Sequence, residues 1–315
     1  MEYRRLGRTD LEASRIGFGC SRIAQASGAS ERRAIVCTLE TALDRGINFF
    51  DTADSYDHGA SEALLGDVFR RQRDRVILCS KAGYRSWLLL ALDRWARLSP
   101  SVVRHVMPLH RTNRASRAGR ERRRNFEPGR LAIAIQGSLR RLRTDRVDVF
   151  YLHSPPPDVL ADGRVFETLQ GLKQKGWIRH YGISCAERST TQDVLAALRC
   201  PGISIVQVMV NPLESVDLEK IAPRAAELGV AIVGRQPFHR GAVLEPRRLT
   251  KLQIDCPRRT PAQMVLRSVT QLPNVDVALV GMRSMEHLEE NLGSMVGPAL
   301  SAGEMTRLYS GMLKR

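Results

Sequence analysis

Four ionisable side chains stand out by position. Asp51 closes the apolar run INFFD, Tyr56 follows in a loop of small polar residues, Lys81 closes RVILCSK, and His153 closes RVDVFYLH. A phenol ordinarily titrates near ~10, so it serves as a general acid near neutrality only when something stabilises its phenolate. An adjacent ammonium does so. A desolvated lysine in turn sheds its own proton unless a carboxylate holds it charged. Lys81 and Asp51 suit those two parts, and His153 can orient a carbonyl oxygen and help bind its developing negative charge. Taken singly, Asp51 is as readily a turn cap and His153 a satisfied core histidine. A lysine closing a buried strand has fewer structural explanations, the more so where the other lysines are Lys173, Lys175, Lys220, Lys251 and Lys314.

The elements that must position these groups are legible as an alternation. Eight short apolar runs, ASRIGFGC, INFFDTA, RVILCSKA, RVDVFYLHS, IRHYGISC, ISIVQVMVN, VAIVGRQP and DVALVGMR, are separated by stretches such as ERRAIVCTLETALDRG and GRLAIAIQGSLRRLR. The latter carry apolar residues at helical spacing. Glycines at Gly46, Gly176 and Gly229 mark helix ends. Eight strand-helix pairs predict an α/β fold, a (β/α)8 TIM barrel spanning residues 1–315 as one domain, with YRRLGRTDLEA as a hairpin plugging its N-terminal end. In such a barrel the reactive groups gather at the C-terminal ends of the strands, where Asp51, Lys81 and His153 all fall. A dinucleotide fingerprint at Gly17 and Gly19 fails for want of a third glycine and of an immediate helix. The segment 83–127 breaks the rhythm: it runs from SWLLLALDRWARL to the basic HRTNRASRAGRERRRNF, and a long insertion after the third strand is expected to cover the functional rim.

Composition narrows the function classes less than position does. The chain has 315 residues, 43% hydrophobic and 26% charged, with a formal net charge of +16. The excess is almost all arginine, as expected equally of codon bias and of an acidic partner at the insertion. Neither interleaved aromatics nor a nucleic-acid motif accompanies it. The six cysteines lie singly, without metal-ligand spacing, which fits a reducing cytoplasm and predicts no metal site. The apolar run WLLLAL is too short to span a membrane, and MEYRRLGRTD lacks a signal core, so no membrane association is expected.

The run NFFDTADSYDHGASEALLG, with Lys81 in ILCSKA and His153 in DVFYLHS, resembles the aldo-keto reductase family, and the likeness extends from YRRLGRTDLEASRIGFGC to VGMRSMEHLEENL. The resemblance implies an NAD(P)H-dependent oxidoreductase of the barrel fold that reduces a small carbonyl compound, usually with NADPH. It makes Tyr56 the general acid, Lys81 and Asp51 the residues that tune it, and His153 the residue that positions the carbonyl. It also implies a cofactor site: Ser184 and Gln207 at the nicotinamide carboxamide, Arg283 and Ser284 near the adenosine 2′-phosphate, and Glu290 and Asn291 toward adenine, with Gly19, Cys20, Gln236, Phe238, Gly281 and His287 completing it. A helix N-terminus beside Arg283 is physically a good phosphate site, which favours NADPH over NADH.

Three departures from the family pattern bear on function. Cys185 stands where asparagine is usual, and Arg235 replaces the aromatic residue that stacks on the nicotinamide ring. A guanidinium there disfavours the cationic oxidised ring, so reduction is the expected working direction. The tail after Asn291 is short for a pocket-closing extension, so the insertion is expected to take that part, with Tyr84, Trp87 and Trp95 as pocket walls. Alternatives at this point are a reductase of a bulky or anionic intermediate, including C=N groups, and a cofactor-binding regulatory protein with weak catalysis.

Overall fold

A period of two along each strand separates the residues that fill the barrel from those that face the helices. The computed structural model describes residues 1–26, 28–84, 124–252 and 259–313; Trp87, Trp95 and most of the basic insertion lie outside the described residues. A hairpin of β1 (Tyr3–Arg5) and β2 (Glu12–Ser14) precedes eight strands: β3 (Ile16–Gly19), β4 (Phe49–Asp51), β5 (Ile77–Ala82), β6 (Val147–His153), β7 (Ile178–Ser184), β8 (Ile205–Met209), β9 (Ala231–Arg235) and β10 (Val277–Gly281). These eight pair in parallel and in sequence order, and β10 closes on β3. All eight predicted strands form, and the closed (β/α)8 barrel is the predicted one.

The helices of the described chain are α1 (Ala29–Asp44), α2 (Ala60–Phe69), α3 (Pro128–Leu142), α4 (Pro157–Ala161), α5 (Gly163–Gln174), α6 (Thr191–Leu198), α7 (Leu218–Leu228), α8 (Pro246–Leu252), α9 (Pro261–Gln271), α10 (Met285–Gly293) and α11 (Ala302–Leu313). Their starts are written in the sequence. Thr190 and Thr260 cap α6 and α9 in reciprocal capping boxes with Asp193 and Gln263. None among the described residues is long and apolar enough to cross a membrane.

Inward-facing residues form one cluster: Phe49 of β4, Ile77 and Cys79 of β5, Val149 and Tyr151 of β6, Ile205 of β8, Ala231 and Val233 of β9, and Val277 and Leu279 of β10. Leu6, Leu11 and Ala13 of the hairpin belong to it, so the hairpin does plug the N-terminal end. Phe18, Phe50, Leu78 and Phe150, one position out of step, pack instead under the helices. Extending the inward parity by one more residue pair reaches Asp51, Lys81, His153, Ser184, Gln207 and Arg235 in turn. The same alternation that fills the barrel thus aims these polar side chains over its C-terminal mouth. Tight approach seats the plug, because a Cβ on Gly7, whose φ is +53°, would fall 2.3 Å from the Gly229 carbonyl oxygen.

Candidate active site

At the mouth, Lys81 is the most deeply placed cation, with 2% of its surface exposed. Its Nζ donates to Asp51 Oδ2 and, at 2.9 Å, to the Thr52 carbonyl. Asp51, equally buried, accepts a second bond at 2.6 Å from Gln207 Nε2, and Ser184 Oγ donates to Gln207 Oε1 at 3.0 Å. A chain of polar contacts therefore runs Ser184, Gln207, Asp51, Lys81 across β7, β8, β4 and β5. Register makes it possible, since His153 lies opposite Ser184 and Ser184 opposite Gln207. The Tyr151 ring lies below, its centroid 5.9 Å from the ammonium.

Tyr56 sits above this chain, half-buried, its ring centroid 5.1 Å from Lys81 Nζ. Its loop turns sharply: Asp57 (φ 46°) and His58 (φ 54°) are left-handed, and Gly59 follows at φ 85° before α2 begins. Non-glycine residues adopt this region only when their surroundings enforce it. Here the far side of the loop is pinned by Ser61, whose hydroxyl donates to the Cys20 carbonyl at 2.8 Å and shares a 2.8 Å bond with Thr52 Oγ1. Beneath, the fully buried Glu62 accepts from Ser80 Oγ and, at 2.7 Å, from Arg141 Nε of α3. The run ASEALLG thus anchors the tyrosine loop to β3, β4, β5 and α3.

His153 completes the group. Its ring meets Tyr56 edge-on at 6.0 Å between centroids and Tyr84 at 4.6 Å. Burial, then the charges of Lys81, Arg235 and Arg124, push its pKa well below the ordinary histidine value. It is therefore a neutral imidazole at neutral pH, and its buried Nδ1 has no hydrogen-bond partner among the described residues. For Lys81, burial opposes the charge, but Asp51 and Tyr56 outweigh it and the pKa rises. For Tyr56 burial dominates and raises the phenol pKa, against the opposing pull of the Lys81 and Arg235 charges. The sequence argument expected Lys81 to make Tyr56 more acidic. The ammonium does act in that direction, yet desolvation of the phenolate is the larger effect in the free protein.

The other predicted site residues divide by position. Gly19 and Gly281 pair at the mouth between β3 and β10, and a Cβ on Gly281 would meet only the Gly19 carbonyl, at 3.9 Å, which leaves an open face. Cys20 and Cys185 are buried, and burial pushes the Cys185 thiol up to about 12, which leaves it inert as a nucleophile. Arg235 Nη2 donates to the Cys185 carbonyl at 2.7 Å, so the two departures from the family pattern touch each other. Gln236 is left-handed (φ 57°) with its Oε1 buried and unpartnered, and Phe238 packs half-buried beyond it. Farther out, Ser284 caps α10 by accepting from the His287 N–H at 3.3 Å, and Arg283 is exposed with a 3.1 Å bond to Glu31. Glu290 accepts from Thr260 and Gln263 of the α9 cap, and Asn291 is buried. Sequence reasoning passed over Thr52, Tyr151 and the Glu62–Arg141 pair. Only the inward parity of Tyr151 and the position of Glu62 one turn into α2 hinted at them. Among the described residues no cluster suits a metal ion.

The fold and this mouth define a barrel oxidoreductase that works without a Rossmann domain. The Aldo/keto reductase family model matches residues 15–310, and the chain belongs to that family as an NAD(P)H-dependent oxidoreductase. The uncharacterized oxidoreductase YqkF of Bacillus subtilis (strain 168) is 29% identical over 248 residues, 78% of this chain and 67% of that protein. Pyridoxal 4-dehydrogenase of Microbacterium luteolum is 27% identical over 261 residues, 78% of this chain and 73% of that one. Among solved structures, the holo form of aldo-keto reductase AKR11C1 from Bacillus halodurans aligns with a TM-score of 0.76 at 25% identity, covering 99% of this chain and 96% of that one. An aldo/keto reductase from Klebsiella pneumoniae in complex with NADP and acetate aligns with a TM-score of 0.71 at 25% identity and the same coverage.

Proposed function

We propose that the chain reduces the carbonyl group of a small aldehyde or ketone to an alcohol with NADPH, and that Tyr56 is the general acid. The observation that carries this reading is the buried Lys81 ammonium, tied to Asp51 and set 5.1 Å from the Tyr56 ring, with the His153 ring edge-on to Tyr56 at 6.0 Å. Bound NADPH supplies the hydride. The chain's own residues do the rest. His153 and the Tyr56 hydroxyl bind the carbonyl oxygen from two sides, and as negative charge builds there the phenol gives up its proton to it. The transient phenolate faces an ammonium that cannot drift away, because Asp51 and the Thr52 carbonyl hold it. Asp51 is held in turn by Gln207.

The cofactor fits the residues present. Ser184 and Gln207 offer amide-binding groups on adjacent strand ends, and the open face at Gly281 admits a ligand backbone-close. Arg283 stands immediately before the α10 cap, where a phosphate gains both a cation and a helix N-terminus. Its present bond to exposed Glu31 is worth at most ~1 kcal/mol, so a 2′-phosphate can displace it. Arg235, a cation at the mouth, favours the neutral reduced ring over the oxidised one. The Klebsiella relative bound to NADP supports the same reading.

The test is consumption of NADPH across a panel of aldehydes, ketones and imines, run beside direct NADPH and NADH binding. Carbonyl-dependent NADPH oxidation, with NADPH bound more tightly than NADH, is expected. Tight NADPH binding with no turnover anywhere on the panel would identify a cofactor-binding regulatory protein instead.

A further inference from the structure

Two guanidinium groups reach this mouth with no carboxylate partner among the described residues. Arg235 donates Nη2 to the Cys185 carbonyl and leaves its buried Nε unpartnered. Arg124, where the chain returns from the insertion, also has a buried Nε without a partner. Its place is set by backbone: Arg124 forms an antiparallel bridge with Tyr84, and the Asn125 N–H donates to the Gly83 carbonyl at 2.7 Å. The Phe126 ring closes the turn so tightly that a Cβ on Gly83, at φ +138°, would lie 2.3 Å from it. The Arg124 guanidinium lies 5.7 Å from the Tyr84 ring centroid, and that ring in turn meets His153 edge-on. A cation is therefore fixed at the mouth, one ring away from the residue expected to orient the carbonyl.

Three other enclosed cations are paired with carboxylates, while Arg15 is held by the carbonyls of Val275, Asp276 and Thr270. Lys81 is neutralised by Asp51, Arg141 by Glu62, and Arg73 by Asp148. Arg124 and Arg235 add uncompensated positive charge, and both reach His153 electrostatically. A buried donor left unpartnered is costly unless a ligand completes it. A side-on carboxylate would do so, taking Nε and one Nη of the planar fork together. Arg235 is less free to act this way, because its Nη2 is already engaged at β7.

We propose that Arg124 binds a carboxylate on the substrate, so that the preferred substrates are oxo acids whose carbonyl reaches Tyr56 and His153 while the carboxylate lies over Tyr84. The proposal rests on the reductase reading above. Arg124 touches neither the carbonyl nor the cofactor in this scheme; it sets specificity.

Steady-state kinetics with NADPH on the ortho, meta and para isomers of carboxybenzaldehyde and on their methyl esters test it, since each pair differs only in the anion. In the wild type the best acid should exceed its ester in kcat/KM. Arg124→Gln should lower that ratio by about tenfold or more, chiefly through KM, and Arg124→Lys should fall between, keeping charge but losing the fork. An acid-to-ester ratio that does not change in Arg124→Gln overturns the assignment, while ester reduction by the wild type leaves the reductase reading standing. No reduction of any acid or ester by the NADPH-bound protein overturns both. Should the variants fail to fold, the wild type still decides: raising salt from about 50 to about 500 mM should raise KM for the acid several-fold and leave that for the ester in place. Equal salt effects on both overturn the proposal.

Discussion

The two ends of the barrel handle polar groups in opposite ways. At the N-terminal end, buried Asp148 accepts the Leu78 N–H at 2.9 Å and bridges Arg73 at 2.8 Å and Arg179 at 2.9 Å. Asp10 of the plug binds Arg179 and His180 at 2.6 and 2.7 Å, and these bonds hold its carboxyl well below the usual range. Sharp turns there fall mostly on glycine, as at Gly7, Gly46, Gly176, Gly202 and Gly229, with Arg143 the exception. At the C-terminal end the left-handed positions include Asp57, His58, Ser154 and Gln236, and His153 Nδ1, Arg235 Nε, Gln236 Oε1 and Arg124 Nε are buried without partners among the described residues. The first end pairs most of its polar groups within the fold, although Arg267 beside Glu2 keeps an unpartnered Nε among the described residues. The other keeps backbone strain and hydrogen-bonding capacity that no described residue uses and that a bound ligand can.

That contrast can be broken by substitution. Asp148→Ala leaves the Leu78 N–H unpartnered, removes the only carboxylate on Arg73 among the described residues and leaves Arg179 with Asp10 alone, so it should cost about 3 kcal/mol in urea unfolding while leaving kcat close to wild type. A large loss of kcat in protein that remains folded would show that the two ends are coupled.

A pH titration sharpens it. His153 has a lowered folded-state pKa, mainly from burial, so its contribution to stability is present above the unfolded value of about 6.5 and is lost as pH falls below it. His180, also lowered by burial, acts in the same window, whereas the contribution of Asp10 is fully present above the ordinary carboxylate pKa and is lost only as pH falls below it. Unfolding free energy should therefore fall by up to about 1.4 kcal/mol per pH unit per histidine below ~6.5. His153→Asn should flatten that limb and leave the more acidic one unchanged. An unaltered limb would mean that His153 is not held neutral by its surroundings.

The smallest effect concerns strain. His58 is exposed and left-handed, so His58→Gly should raise stability by about 0.5–1 kcal/mol, measured by urea unfolding. A loss of stability would mean that the loop is not strained there.

How much of this was readable beforehand follows from the same physics. The barrel was legible because parallel strands buried on both faces read as apolar runs, and Asp51, Lys81 and His153 because each extends the inward parity of its strand by one step. Tyr56 was found from loop composition and family likeness, not parity. Gln207 was assigned to the cofactor, but its bond to Asp51 depends on register across several strands, which no local pattern encodes. Arg124 is hidden in a run of arginines, and its backbone bridge to Tyr84 depends on a pairing that no local pattern encodes. The pull of Lys81 on Tyr56 is legible because charge is countable in a sequence; the larger opposing effect of desolvation is not.

The proton donor itself is tested most directly by single-turnover reduction of a small aldehyde by NADPH bound to Tyr56→Phe. The variant should bind NADPH with a Kd within about threefold of wild type and transfer hydride slower by about 10²–10⁴. Hydride transfer within a few-fold of wild type would remove Tyr56 from the chemistry, and with it the reason for burying Lys81 against Asp51.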